Sequence, residues 1–361
     1  MTANSTANLT ANFPGNRPIE LTSDTATKPS AAMRRAMAEA EVGDEQRGED
    51  PTTNLLQEQV AALLGKEAAV FLPSGAMCNQ IAICVHCRPG DEVVAADWSH
   101  IFTSEAGGAA VLAGAQTWPI PSERGIFSAA TLRQNIRQAS RHTPRTALMV
   151  LEQTNNRGGG AVWPLAAIEE VAAEARKAGA AVHMDGARVL NAQVASGVPA
   201  KAFAARCDSV WLDLSKGLGC PVGGVLAGSR PFIQEAWRWK HRLGGAMRQS
   251  GILAAAGIYA LQHNVERLAE DHTNAKRFAE LIAGLPGVRL DPPQIDTNIV
   301  FFDCTATGLT GAELSARLQA RGVRFSQMAP NRLRAVTHLD VTRAEVERAA
   351  SVLSDVLADH S

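Results

Sequence analysis

Short apolar runs alternate along the chain with segments in which apolar residues recur every three to four positions. The runs at 68–72, 92–96, 146–151, 180–184, 209–214 and 224–227 have the length of buried strands. Residues 77–86 and 165–177 have helical periodicity instead. Strands that alternate with helices predict the α/β class, with a mainly parallel sheet and helices on both of its faces.

Residues that commonly begin or end helices support this pattern in the first part of the chain. Ser30 precedes Met33 and Met37, which are four positions apart, so we predict Ser30 as an N-cap. The next helix should begin near Thr52 and end at Gly65, because glycine readily adopts the backbone conformation that terminates a helix.

The pattern changes after residue 287, where a compact α/β segment of under 100 residues is predicted. Its strands are expected at 298–303, 323–327 and 333–337, and its helices at 311–320 and 343–359. The alanine-rich stretch 250–283 is predicted as a long helical connection. We therefore predict a disordered N-terminal arm over 1–17, a large domain over 18–265, and a small C-terminal domain over 266–361.

Composition excludes several classes of function. The 361 residues carry a net charge of −1 and only 5% aromatic side chains, which gives no electrostatic or stacking reason to expect nucleic acid or membrane partners. No segment has the pattern of a targeting peptide, and the longest apolar run, at 251–261, is too short to span a bilayer. A cytoplasmic protein with a small-molecule ligand is expected.

The six cysteines lie in apolar or small-residue stretches, so buried, reduced thiols are expected. Cys84 and Cys87 form a CxxC pattern that encloses His86, but neither a second CxxC nor a histidine pair follows. We therefore prefer helix packing to a zinc site here, and no metal is predicted.

Charged residues follow two neighbouring predicted strands. Asp185 and Arg188 come after the run at 180–184, and Lys216 follows the run at 209–214, 31 positions after Asp185. That separation fits one strand–helix–strand unit, so both strand ends should face one crevice, where α/β sheets bind ligands. A lysine amine and a carboxylate for a pyridinium nitrogen are what pyridoxal phosphate (PLP) requires of a protein.

A third feature fits the same cofactor. The sequence Pro73-Ser74-Gly75-Ala76 lies between a predicted strand and a predicted helix. Backbone N–H groups at such a helix N-terminus favour an anion, here a phosphate.

With these residues in place, the chain resembles the L-threonine aldolases, which are fold-type I PLP enzymes within the β-eliminating lyase group. The resemblance extends from about residue 19 to residue 357. It rests on matching segments at 21–25, 48–52, 105–109, 183–188, 214–219, 247–251 and 334–340. It implies a transferase-like, mainly parallel sheet with a smaller C-terminal α/β domain.

The resemblance also implies a role for individual residues. Lys216 would hold the cofactor covalently, Asp185 would keep its ring nitrogen protonated, and His100 would stack on the ring near the substrate hydroxyl. The implied phosphate contacts are Gly75, Ala76 and Arg248, the last across a subunit interface. The implied substrate contacts are Ser23, Arg188, Arg334, Asn155 and Arg47. Of these, Ser23, Arg188 and Arg334 would hold the substrate carboxylate, and Arg188 is implied as a cofactor contact as well.

This chain departs from the family pattern at four positions. Asn155 replaces a histidine, Arg47 a tyrosine, Ala76 a threonine, and Asp213 a neutral residue. Asparagine cannot titrate, and Arg47 adds a positive charge. We therefore expect weak turnover of L-threonine and a preference for a larger polar or acidic β-substituent.

The expected activity is cleavage of L-3-hydroxy-α-amino acids, of the threonine or allo-threonine type, to glycine and an aldehyde. One alternative is β-elimination, with Lys216 removing the Cα proton. A more remote alternative is a ligand-sensing module without enzymatic activity, for which the chain lacks an attached DNA-binding segment. A homodimer or homotetramer with shared active sites is expected.

Overall fold

The computed structural model describes residues 17–138 and 140–360, so the arm predicted over 1–17 lies almost entirely outside the described residues. The strands are β1 (Ile19–Glu20), β2 (Ala68–Leu72), β3 (Glu92–Ala96), β4 (Gln116–Ile120), β5 (Thr146–Glu152), β6 (Ala181–Gly186), β7 (Ser209–Asp213), β8 (Gly224–Gly228), β9 (Arg289–Leu290), β10 (Ile299–Asp303), β11 (Val323–Arg324), β12 (Ser326–Ala329) and β13 (Arg332–Val336).

The α-helices are α1 (Ala31–Ala38), α2 (Pro51–Leu64), α3 (Gly75–His86), α4 (His100–Thr103), α5 (Gly108–Ala113), α6 (Ala129–Asn135), α7 (Leu165–Lys177), α8 (Val189–Ser196), α9 (Ala200–Ala204), α10 (Arg230–Arg242), α11 (Gly251–His263), α12 (Leu268–Ile282), α13 (Gly311–Ala320) and α14 (Arg343–Ala358).

The central sheet has seven strands in the order β2-β8-β7-β6-β5-β3-β4. β8 alone runs in the opposite direction, antiparallel to β2 and β7, so the predicted mainly parallel sheet is confirmed. Every residue of β3, β5, β7 and β8 is buried, as expected for strands covered on both faces. The carboxyl ends of β5, β6 and β7 therefore meet at one edge, with Glu152 directly beside Asp185.

Several predicted boundaries agree with the structure. The Ser30 hydroxyl accepts a hydrogen bond from the Met33 N–H at the start of α1, and Gly65 ends α2 in the left-handed conformation. The strands at 68–72 and 92–96 and the helix at 165–177 have the predicted limits. β4 has no counterpart in the prediction, because this half-exposed edge strand lacks a continuous apolar run.

The predicted helix over 250–283 is two helices, α11 and α12, separated at residues 264–267. Asn264 caps α11, and its side-chain amide donates a hydrogen bond to the Leu218 carbonyl, 2.7 Å away. That contact ties the break to the loop that follows β7. Helical composition continues through the break, so periodicity alone gave no sign of it.

The C-terminal segment forms a second core around an antiparallel sheet in the order β12-β13-β10-β9. The predicted strand at 323–327 is two short strands, since β11 pairs with β1 and β12 pairs with β13. Ile19 and Leu21 belong to this second core, so the first described residues pack on the last part of the chain. The domain boundary near residue 265 stays a prediction.

Cys84 and Cys87 lie in a buried apolar cluster, as the packing interpretation predicts. Burial raises the pKa of Cys84 to about 11 and that of Cys87 to about 12.

Within residues 17–138 and 140–360, no helix combines the length and apolar character needed to cross a bilayer.

Candidate active site

A cleft of about 280 Å³ opens at the carboxyl ends of β5, β6 and β7. Most of the predicted site residues line it, together with several that were not predicted. The lining comprises Ser23, Thr25, Gly75, Ala76, His100, Glu152, Asn156, Asp185, Ala187, Arg188, Trp211, Asp213, Lys216 and Arg334.

Lys216 lies three residues beyond the end of β7, in the turn between β7 and β8. Its Nζ donates to Asp213 Oδ2 at 2.6 Å and lies 5.5 Å from the centroid of the Trp211 ring. Asp213 also accepts hydrogen bonds from the N–H and hydroxyl of Ser215, which hold the carboxylate in place. The amine is therefore held at the cleft surface by the carboxylate that ends the preceding strand, β7.

Asp185 is buried at the end of β6 and has no cationic partner within ion-pair distance in the described part of the chain. Its oxygens accept hydrogen bonds from Asn79 Nδ2 at 2.8 Å and from the Ala187 N–H at 3.1 Å. Asn79 Oδ1 in turn accepts from Trp211 Nε1. Neutral donors thus orient a carboxylate that faces the cleft, which suits a cationic ligand group.

His100 begins α4, and its ring lies among carboxylates. Its Nδ1 is 2.8 Å from Glu105 Oε1, and its backbone N–H donates to Glu152. Burial by itself lowers the pKa of His100, but the hydrogen bond that its ring donates to Glu105 and the charges of Asp185, Glu105 and Glu152 raise the pKa above its usual value. Glu105 is held by the amides of Asn79 and Gln80.

Arg188 forms a buried, two-pronged ion pair. Its Nε and one terminal nitrogen donate to the two oxygens of Asp24, each at 2.7 Å. Burial alone raises the pKa of Asp24, but the charge and hydrogen bonds of Arg188 hold it well below its usual range. Asp24 therefore fixes the guanidinium that was predicted to bind the substrate carboxylate.

Arg334 projects from β13 into the same cleft. Its terminal nitrogens donate to Asn156 Oδ1 and to the Thr22 carbonyl, both at 2.9 Å, while its buried Nε has no hydrogen-bond partner among the described residues. Burial and the nearby charge of Arg188 lower its pKa to about 10. Two buried guanidinium groups at one cleft favour an anionic ligand.

The helix N-terminus predicted to bind phosphate is present. α3 begins at Gly75, where Ser74 accepts a hydrogen bond from the Met77 N–H. A Cβ at Gly75 would lie 2.2 Å from the Trp211 ring, so only glycine lets the helix start this close to the ring. Gly75 and Ala76 both line the cleft, as does Ser23, whose hydroxyl accepts from Thr25.

Three predicted residues do not line the cleft in the single chain. Asn155 is fully buried, with its Oδ1 accepting from the Gly158 N–H and its Nδ2 unpaired among the described residues. The next residue, Asn156, contacts Arg334 instead. Arg47 and Arg248 are exposed and both approach Asp44, at 4.0 Å and 2.9 Å. The predicted substrate contact of Arg47 and the predicted phosphate contact of Arg248 across a subunit interface stay predictions.

Sequence reasoning missed the residues that orient the predicted ones: Asp24, Asn79, Glu105, Glu152 and Trp211. Asp24 and Glu105 lie within matched segments, and Glu152 ends a recognised strand, so their position was available but their role was not. Asn79 lies inside a predicted helix and nothing in the local pattern distinguishes it. Its contacts are with residues 26 or more positions away.

The cleft fits PLP on the residues present. Lys216 supplies an amine at the surface, Asp185 offers an uncompensated carboxylate, and Gly75 and Ala76 present the start of α3. The ligand atoms of His100, Glu105 and Asp185 lie within 4.8 Å of one another, which would also permit a cation. Asn79 bridges both carboxylates through hydrogen bonds, however, so the arrangement is explained without one.

Comparison with known proteins identifies the family of the chain. The model of the beta-eliminating lyase family matches residues 20–305. The low specificity L-threonine aldolase of Escherichia coli K12 is 44% identical over 334 residues, which cover 92% of this chain and 97% of the relative. A probable low-specificity L-threonine aldolase 2 of Arabidopsis thaliana is 40% identical and covers 94% and 97%.

The solved structures agree at the level of the fold. The threonine aldolase of Leishmania major superposes with a TM-score of 0.80 at 19% identity, over 94% of this chain and all of that chain (100%). The fold and the site define a fold-type I PLP enzyme. The chain belongs to the beta-eliminating lyase family, and it is a PLP-dependent lyase.

Proposed function

We propose that the protein cleaves L-3-hydroxy-α-amino acids of the threonine and allo-threonine type to glycine and an aldehyde. The observation that carries the proposal is that Lys216, Asp185, His100 and the pair Arg188 and Arg334 line one cleft. The names of the relatives, at 40–44% identity over nearly the whole chain, support it.

The guanidinium groups hold the substrate. Arg188, fixed by Asp24, and Arg334 bind the α-carboxylate and set the orientation of the Cα–Cβ bond. Asp185 would hold the ring nitrogen of the cofactor and stabilise positive charge there. PLP, when bound, supplies the electron sink that stabilises negative charge at Cα.

His100 takes the proton of the β-hydroxyl. Its Nδ1 faces Glu105, so in the neutral ring with the proton on Nδ1 the Nε2 lone pair remains available as a base. As the O–H proton moves to Nε2, the oxygen forms the aldehyde and the Cα–Cβ electrons remain at Cα. Protonation at Cα then yields glycine.

The test is product analysis with the purified holoenzyme and a panel of L-3-hydroxy-α-amino acids. Glycine and an aldehyde in equal amounts are expected, whereas a keto acid and ammonia would indicate β-elimination instead. Lys216→Ala should lower turnover by orders of magnitude, because alanine has no side-chain amine through which to hold the cofactor. The exposed Lys201→Ala serves as the matched control.

Shared active sites in a homodimer or homotetramer are part of the proposal. Arg47 and Arg248 are exposed on one face and both approach Asp44, so they are available to a neighbouring subunit. Cytoplasmic localisation stays a prediction.

A further inference from the structure

A second pocket, of about 320 Å³, lies beside the active-site cleft. We call it the Trp98 pocket; the residues that matter here are Trp98, Arg124, Arg157, Asp291 and Arg332. The Trp98 side chain is one of the exposed large apolar side chains of the protein. None of these residues belongs to the machinery described above.

The Trp98 pocket is next to the cleft along three separate segments of the chain. Each segment supplies one residue to the cleft and another, one or two positions away, to the pocket: His100 and Trp98, Asn156 and Arg157, and Arg334 and Arg332. On a strand, residues two apart project from the same face about 7 Å from each other. A ligand held by Arg334 is therefore within reach of Arg332.

The pocket carries a positive charge that is only partly neutralised. Arg124 donates to Asp296 at 2.7 Å, and Arg332 Nε lies 3.0 Å from Asp291. For Arg157 the structure gives no ion pair or hydrogen bond within residues 17–138 and 140–360. Arg157 thus contributes an uncompensated guanidinium to the pocket.

Aromatic surface and positive charge coincide in the pocket. The guanidinium carbons of Arg157 and Arg332 each lie 5.9 Å from the centroid of the Trp98 ring. A flat ring can stack on Trp98, and a carboxylate on that ring can accept a paired hydrogen bond from a guanidinium fork. A methyl group, the β-substituent of threonine, is too short to reach either feature.

We propose that the Trp98 pocket is the subsite for the β-substituent of the substrate. It selects 3-hydroxy-α-amino acids whose substituent is an aromatic ring that bears a carboxylate. This inference rests on the proposed function, and it moves the expected preference for a larger acidic substituent from Arg47 and Asn155, which do not line the cleft, to Arg157.

The test compares kcat/KM of the holoenzyme for 3-phenylserine and for 3-(4-carboxyphenyl)serine. The parent should favour the carboxylated substrate by on the order of tenfold, the gain of one hydrogen bond to a charged group. Arg157→Gln should bring the ratio close to one, and Arg157→Glu should invert it. Trp98→Ala should lower kcat/KM for both substrates.

Arg317→Gln, which removes an exposed arginine from α13, is the control and should keep the parent's ratio. A parent that shows no preference, or a ratio that Arg157→Gln leaves unchanged, overturns the inference. Failure of the proposed function is distinguishable, since neither substrate would then yield glycine and an aldehyde. In that case the ratio of dissociation constants, followed by the cofactor's absorbance, still tests the pocket.

Discussion

Glu105 controls the protonation of His100. Burial lowers the pKa of His100, and the hydrogen bond and charge of Glu105 are among the causes that raise it overall. Glu105→Gln keeps an acceptor but removes the charge, so the pKa of His100 should fall. The neutral base then persists to lower pH, and the acid limb of kcat/KM should shift to lower pH.

The measurement is the pH profile of kcat/KM together with a ¹⁵N titration of His100. Glu58→Gln, at an exposed position on α2, is the control. If Glu105→Gln lowers the pKa of His100 in the titration but leaves the acid limb in place, His100 is not the base.

Asp24 stabilises the fold as well as the site. Its folded pKa is depressed by Arg188, so its contribution is present above the unfolded pKa of about 3.9 and is lost as pH falls through the folded pKa. Asp24→Ala leaves Arg188 buried without its partner, which should lower the free energy of unfolding at neutral pH by about 3–5 kcal/mol.

Urea denaturation of the cofactor-free protein, at one protein concentration, measures this change. Glu235→Ala breaks the exposed pair with Arg238 and should cost less than about 1 kcal/mol. Equal losses in the two variants would mean that the buried pair has no special role.

The start of helix α3 depends on one close contact. In Gly75→Ala the new Cβ would lie 2.2 Å from the Trp211 ring, so the helix or the ring must move. Such overpacking typically costs about 1–3 kcal/mol, and the displaced N–H groups should bind the phosphate less well. The dissociation constant of PLP should therefore rise by roughly tenfold or more.

Gly284→Ala is the matched control, because a Cβ there meets nothing within 4 Å and the backbone conformation is ordinary. Both variants can be compared by titrating the cofactor-free protein with PLP. Unchanged affinity in Gly75→Ala would remove the start of α3 from the cofactor site.

An exposed apolar surface favours the association of subunits. Val42, Leu55 and Ile252 are among its most exposed large apolar side chains. Their segments adjoin, since Thr52 donates to the Glu41 carbonyl and the Gly251 N–H donates to Asp50. Arg47 and Arg248 flank the same segments, which is the arrangement expected of a subunit interface that completes a neighbour's site.

Ile252→Glu should therefore shift the protein toward monomers in sedimentation velocity and lower its activity in parallel. The control is Ala316→Glu, at an exposed position of α13, which should leave the sedimentation and the activity unchanged. A parent that sediments as a fully active monomer would contradict shared active sites.

Patterns within single segments of the sequence were enough to predict most of the strands of the central sheet and the residues at their ends. The buried runs predicted the strands of the parallel sheet, and the 31-residue separation of Asp185 and Lys216 predicted adjacent strand ends, which β6 and β7 confirm. Residue types at strand ends indicated PLP because the carboxyl ends of parallel strands necessarily meet at one edge. The cofactor could be predicted from this information, whereas the family was predicted from the resemblance of the matching segments.

Tertiary structure decided which neighbours orient those groups and which residues reach the ligand. Asn156 rather than Asn155 faces the cleft, because a turn at 155–161 buries the Asn155 side chain. Asp24 pairs with Arg188, which is 164 positions away in the sequence. Asn79 donates hydrogen bonds to Asp185, 106 positions away, and to Glu105, 26 positions away. Such contacts depend on the packing of distant segments, which no local periodicity records.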